Sequence, residues 1–204
     1  SNFQEITFLY KGLNLSLEQL TTKNIKNEVF IEGKIINKNL IVKENFFEEF
    51  FEDSKIKIQK IDLDSENTFS FKLDQKFKIK NFKLKSKIKF NEAKILNNFD
   101  LENFFPQMNK QINLRNHNIE IDYFKNEFRC RGSGSILLQK NDDQIEYTVL
   151  KKDKKIYFNT SLIIDENEFL IDFLNYRKND KTKLKVQLKG DKDQNGSFKL
   201  DILN

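Results

Sequence analysis

The chain has 204 residues, 36 Lys and Arg against 31 Asp and Glu, and a net charge of +5, so it can bury a sizeable core in one or two domains. Aromatic content is 21 Phe and 5 Tyr with no Trp, beside 6 Gly, 1 Pro and 1 Cys. This excludes collagen-like, disulfide-rich and Pro/Gly-rich disordered classes, and the charge surplus is too small to identify an anionic partner.

Taken in chain order, strict alternation recurs almost everywhere. The chain opens already patterned on Phe3, Ile6, Phe8 and Tyr10, followed by Leu13, Leu15 and Leu17. Ile56 and Ile58, Ile61 and Leu63, then Phe69, Phe71 and Leu73 continue the period. Later come Ile119, Ile121 and Tyr123; Ile145, Tyr147 and Val149; Leu184, Val186 and Leu188; and Phe198, Leu200 and Ile202. Period two in Ile, Val, Phe and Tyr predicts half-buried antiparallel strands. Asn- and Asp-rich stretches at 37–39, 64–67, 140–143, 165–167 and 191–196 predict the turns between them, since these side chains bond their own backbone.

Two segments break the period. In 44–53, Phe46, Phe47, Phe50 and Phe51 fall at helical spacing with Glu48, Glu49 and Glu52 facing away, which predicts a short amphipathic helix packed on the sheet. Residues 99–105, ended by Pro106, predict a second. No apolar run approaches the ~20 residues of a membrane span, and no signal-peptide pattern is present. Starting and stopping in mid-pattern suggests a fragment of a longer chain. Residues 1–204 read as one β-rich module, and 99–118 is the best boundary if one exists.

The strongest local feature is 76–90. Lys76, Lys78 and Lys80 alternate with Phe77 and Ile79; Lys83, Lys85, Lys87 and Lys89 alternate with Phe82, Leu84, Ile88 and Phe90. Parity slips at Asn81-Phe82, where a bulge would keep both apolar sets on one face. The expectation is one long curved strand, with lysines on a solvated face that also guards an edge. Nucleic acid is disfavoured as a partner, because stacking platforms need aromatic and basic groups in one groove. Here Phe and Lys take opposite faces.

No catalytic residue emerges. Arg131-Gly132-Ser133-Gly134-Ser135 leads into a strand pattern, so it fails the context of a dinucleotide loop; glycines in a strand mark a bulge or a close backbone approach. His117, the single histidine, lies between two Asn and reads as a surface-loop residue. Cys130 reads as part of a buried strand face with Phe128. Asp62, Asp64 and Glu66, and Asp142 with Asp143, read as solvated turn carboxylates. No metal set or cofactor motif is singled out, and the expectation is a protein that is not an enzyme.

Residues 131–204 resemble the AsmA-like envelope proteins, particularly the YhdP-type group of bridge-like lipid transfer proteins. The likeness is carried by Arg131-Gly132-Ser133-Gly134-Ser135-Ile136-Leu137-Leu138, by Ile145-Glu146-Tyr147-Thr148-Val149, by the 154–162 segment, by Tyr176-Arg177-Lys178, and by Gly196-Ser197-Phe198-Lys199-Leu200. The resemblance implies an internal piece of a periplasmic cell-envelope protein serving outer-membrane biogenesis. A membrane-associated lipid-transport chain of that kind takes its inner-membrane anchor from a part of the parent not present here. The fold it implies is an elongated, curved antiparallel sheet, a β-groove or taco-like meander, with one or two short helices. The groove would carry phospholipid acyl chains. Its expected lining is Phe69, Phe71, Leu73, Phe77, Ile79, Phe82, Leu84, Ile88 and Phe90. The alternative is a structural β-sandwich or scaffold module with a closed Phe-rich core, and the third reading is a nucleic-acid-binding β module.

Overall fold

Alternating side chains extend the backbone and leave its polar groups to be met by neighbouring strands. A computed structural model describes residues 1–10, 12–44, 57–97, 101–178, 182–193 and, as backbone only, 198–203. Within them the chain forms β1 (Asn2–Tyr10), β2 (Leu13–Ile25), β3 (Glu28–Lys43), β4 (Lys57–Leu73), β5 (Ile79–Leu96), β6 (Gln111–Phe124), β7 (Glu127–Leu137), β8 (Asp142–Lys152) and β9 (Lys155–Ile164). Then follow β10 (Phe169–Ile171), a 3-10 helix over Asp172–Leu174, β11 (Tyr176–Lys178), β12 (Leu184–Lys192) and β13 (Phe198–Leu203). Strands β1 to β9, β12 and β13 make one 11-stranded sheet in that order, while β10 and β11 make a 2-stranded sheet. Every neighbouring pair is antiparallel.

Register puts the apolar sets on one face across the whole sheet. Gly33, Phe69, Leu84, Tyr123 and Phe128 are successive cross-strand partners, as are Val42, Ile61, Ala93, Leu114 and Ile136. Bulges preserve this face where parity slips. Asn81 and Phe82 together oppose Phe71, and Asn81 takes a left-handed φ of 52°. Similar slips follow Asn37 in β3 and Arg115 in β6, with Asn39 at φ 50° and Asn116 at φ 47°. Asn tolerates this conformation better than other side chains, so the Asn-rich composition supplies bulge residues where Gly is scarce.

Several expectations are corrected. The sheet is neither closed nor strongly curled, so the curved, taco-like groove does not form. One end of the apolar face is covered by the two long connections, β5–β6 and β9–β12. Phe105 and Met108 from the first, and Phe169 from the second, pack on Ile112, Ile136, Leu138 and Ile164. The connections are also tied to each other by Leu170 N donating to Phe104 O at 3.0 Å.

Residues 37–39 and 64–67 are not turns. They lie inside β3 and β4 and face each other, Asn37 against Ser65. Residues 101–105 make a single turn rather than a helix, with Phe104 N and Phe105 N both donating to Leu101 O; Phe99 lies outside the described residues, as do residues 45–53 of the other expected helix. The lysine-rich strand begins at Ile79 rather than 76, because the Asp74 carboxylate accepts the backbone N–H of Lys76 at 2.9 Å and of Lys78 at 3.0 Å and closes a hairpin turn there.

Candidate functional site

Of the expected groove residues, Phe69, Phe71, Leu73, Ile79, Phe82, Leu84, Ile88 and Phe90 do share one face, through the pairs Leu73–Ile79, Phe69–Leu84, Ser65–Ile88 and Leu63–Phe90. Their rings form a run across the sheet: Phe69–Phe71 at 6.1 Å, Phe71–Phe82 at 6.4 Å and Phe82–Tyr123 at 5.8 Å between centroids. The Phe69 ring lies over Gly33, where a Cβ would come within 2.5 Å of it. Phe77 leaves the set: it sits in the β4–β5 turn at φ 57° and is 83% exposed. The residues lie on an open sheet rather than inside a trough, and no helix among the described residues is long and apolar enough to cross a membrane. The β-groove and membrane-associated, lipid-conducting reading is therefore corrected.

A polar band crosses this apolar face. Asn37, Ser65 and Ser86 are buried. Asn37 Nδ2 and Asn67 Nδ2 both donate to Ser65 Oγ at 3.1 Å, and Ser16 N donates to Asn37 Oδ1 at 3.2 Å. Polar atoms in such a band satisfy one another instead of breaking the sheet.

The opposite face carries the lysines, and it answers them. Lys85 and Lys87 of β5 stand beside Asp122 and Glu120 of β6, which stand beside Arg129 and Arg131 of β7. On the other side Lys87 and Lys89 pair with Glu66 and Asp64 of β4. Arg131 reaches Glu120 at 3.2 Å, and Lys34 reaches Glu18 at 2.9 Å and Glu66 at 3.3 Å. The hydrogen bond that Lys34 donates to Glu18, and after it the one to Glu66, raises the pKa of its ammonium above the ordinary value. Opposite charges on facing strands stabilise a sheet by small increments, and these rows alternate in sign, whereas Lys43, Lys60 and Lys94 form a row of one sign and Lys72 faces Lys80.

The glycines of β7 make room for aromatic rings. A Cβ on Gly132 would fall 2.3 Å from Tyr147 Cζ, and one on Gly134 would fall 2.6 Å from His117 Cα. His117 is wholly buried in β6, not in a surface loop, stacked between Phe90 at 6.4 Å and Tyr147 at 5.5 Å. Neither ring nitrogen has a hydrogen-bond partner, and burial lowers its pKa. Burial also pushes the Tyr147 hydroxyl up to about 12, with Cys130 adding to it, and raises the half-buried Cys130 thiol.

The densest polar cluster lies where the two connections meet the β7–β8 turn, beside a cleft of about 810 Å³ lined by Pro106, Asn109, Gln139, Asn141, Asp165 and Asn167. Asp143 is 1% exposed, in contrast to the solvated turn carboxylate expected. It accepts from Asn167 Nδ2 at 2.8 Å and from Asp165 N at 3.3 Å. Asn167 also accepts from Asn141 N at 3.0 Å and donates to Asn141 O at 2.6 Å. The buried Lys178 ammonium donates to Asp165 O at 2.6 Å and Asn167 O at 2.9 Å. Burial raises the Asp143 carboxyl pKa against the pull of these donors and of Lys178. Arg177, next to it, bonds Glu168 at 3.3 Å. The Tyr176-Arg177-Lys178 segment thus folds the 165–168 loop around an internal ammonium. No group of three or more His, Cys, Asp or Glu among the described residues is placed to hold a metal ion.

The fold and its polar clusters define a single-sheet antiparallel meander with an apolar face covered at one end. No family model matches the chain, and no curated protein or solved structure matches it. The likeness to AsmA-like proteins rests on the residues quoted for it alone.

Proposed function

We propose that this chain is a non-catalytic scaffold module, an extended β-sheet platform that holds a shape. The observation that carries this reading is where the polar chemistry goes. Asp143, Asn167 and Lys178 are engaged with each other and with backbone, and His117 is enclosed by aromatic rings. On the other face the rows through Lys85, Lys87 and Lys89 stand beside acidic residues of the neighbouring strands. Side chains committed in this way position strands and loops. The sandwich form of this reading is replaced by a one-sheet form, in which connections rather than a second large sheet cover the core.

The test is complementation of a deletion strain with full-length variants. Lys85→Gln, Lys87→Gln and Arg131→Gln are expected to restore the parental phenotype. Phe169→Ala, which opens the core, is expected to complement less well, in step with its lowered melting temperature. Loss of complementation by a charge variant that keeps its fold and melting temperature would sink the scaffold reading.

A further inference from the structure

The meander brings four hairpin turns, β2–β3, β4–β5, β6–β7 and β8–β9, to one end of the sheet, each two strands from the next. Three of them hold a lysine in a conformation that lysine does not favour. Lys26, Lys125 and Lys154 take left-handed φ of 57°, 50° and 68°, at turn positions that Asn, Asp and Gly fill more easily. Strain of this kind collects at functional sites. In the remaining turn Phe77 sits at φ 57° between Lys76 and Lys78, and it is the most exposed aromatic side chain among the described residues. The carboxylates at this end are largely engaged: Glu28 by Lys72 and Lys80, Asp74 by Lys80, and Glu127 by Arg129 and Lys152. Among the described residues no acidic group pairs with Lys26, Lys76, Lys78, Lys154 or Lys155.

We propose that this end of the sheet binds single-stranded nucleic acid, with the turn ammoniums on phosphates and Phe77 and Tyr157 stacked on bases. Along the strands Phe and Lys are kept on opposite faces, which disfavours such a partner. At the turns they come together, as a stacking platform requires. Phe77 has a lysine on either side. Tyr157 is exposed and shares its face of β9 with Lys155. Phe124 is already overlaid by Lys83 at 4.5 Å and Lys125 at 5.2 Å. An acidic protein segment or a base-free polyanion answers the lysines and leaves the rings unused. A duplex keeps its bases stacked inside, out of reach of Phe77. A lipid surface is flat, and these tips are not level. Phe124, which ends β6, lies opposite Lys83, whose partner on β4 is Ser70, and Ser70 is three residues back from the Leu73–Ile79 pair that closes the β4–β5 hairpin. At about 3.3 Å per residue, the β6–β7 turn stands roughly 10 Å behind the β4–β5 turn, and the β8–β9 turn is level with it through the Phe128–Lys151 pair. A flexible strand follows such a step, whereas a plane meets the outer turns alone. This surface adds a partner to the platform and does not rest on the scaffold reading.

The test is fluorescence anisotropy of a labelled oligothymidylate titrated with the whole chain at rising salt. Saturable binding is expected at low salt, with the logarithm of affinity falling linearly in the logarithm of salt by about 0.7 per phosphate neutralised. Lys154→Gln combined with Lys155→Gln is expected to make that slope shallower by ~1.4. Phe77→Ala is expected to weaken oligothymidylate binding at least ~5-fold and to leave binding of inorganic polyphosphate unchanged, while Phe77→Tyr keeps the parental affinity. All of these variants are expected to keep the parental circular dichroism, since the side chains are exposed at turns. Absence of saturable binding at low salt overturns the proposal. So does oligothymidylate binding that Phe77→Ala leaves unchanged, an equal loss of polyphosphate binding in that variant, or tighter binding to phosphatidylglycerol vesicles than to oligothymidylate.

Discussion

His117 is the residue whose environment differs most from its sequence context. Enclosed by Phe90 and Tyr147, with both nitrogens unpaired, it has its pKa held below the ordinary value by burial. The unfolded chain takes up its proton near the ordinary value of about 6.5, so below that pH the unfolded state binds more protons and stability falls. Above it the contribution is fully present. Urea titrations between pH 7.5 and pH 5.5 are expected to show this loss, and His117→Phe to remove the slope that the imidazole causes. Gly134 tests the same site from beneath. Its Cβ position is occupied by His117 backbone as well as ring atoms, so Gly134→Ala forces β6 to shift, at a cost of about 1–3 kcal/mol of unfolding free energy. His117 was legible in one respect only: it has the parity of Ile119, Ile121 and Tyr123. Its flanking asparagines masked that signal, and Asn116 turned out to be a bulge residue within the strand.

At the scale of elements, the bulge at Asn81-Phe82 and the opposite placement of Phe and Lys were legible, because parity alone decides them. Strand length was not. Asn37 and Ser65 look like turn residues, yet they bond to each other in the middle of β3 and β4, a long-range match that local composition does not encode. Asp143 shows the same limit: it has the parity of Ile145, Tyr147 and Val149, but its partners Asn167 and Lys178 come from a connection far along the chain. That network makes the 165–168 loop a test case. Lys178→Met leaves the carbonyls of Asp165 and Asn167 without their ammonium, and each buried unmet acceptor costs about 1–3 kcal/mol. Hydrogen exchange is expected to speed up in residues 165–168 before it does so in β6 or β7. On the covering side, Phe169→Ala, which empties a site beside Phe105 and Ile164, is expected to cost about 3–5 kcal/mol in denaturant unfolding.

For the molecule as a whole, alternation shows that one face is apolar and does not show what covers it. A groove, a sandwich and a sheet capped by its own connections all share the same period. The connections that decide between them, 97–110 and 165–178, are the least periodic parts of the chain. Since the sheet is not curled into a trough, fluorescent fatty-acid probes are expected to show no saturable, stoichiometric binding; a one-to-one saturable isotherm would count against the open-sheet description. Burial is concentrated at the capped end, where Ile164 is 0% exposed, while every residue of β1 is exposed. Amide protection is accordingly expected to be highest in β6 to β9 and lowest in β1.

The order of the strands also bears on how the protein is made. From β1 to β9 each strand pairs with the one synthesised just before it, so on a ribosome every emerging strand finds a finished edge waiting. The first interruption comes after β9, whose next neighbour, β12, leaves the ribosome only after the β10–β11 hairpin. The rim of the growing sheet therefore stays open for that interval, and the chain emerging meanwhile is the segment that will lie over the core. Translation slowed after β9 would lengthen a period when a long nascent edge lacks its partner and the next strands made do not supply it, and premature association between growing chains would begin there.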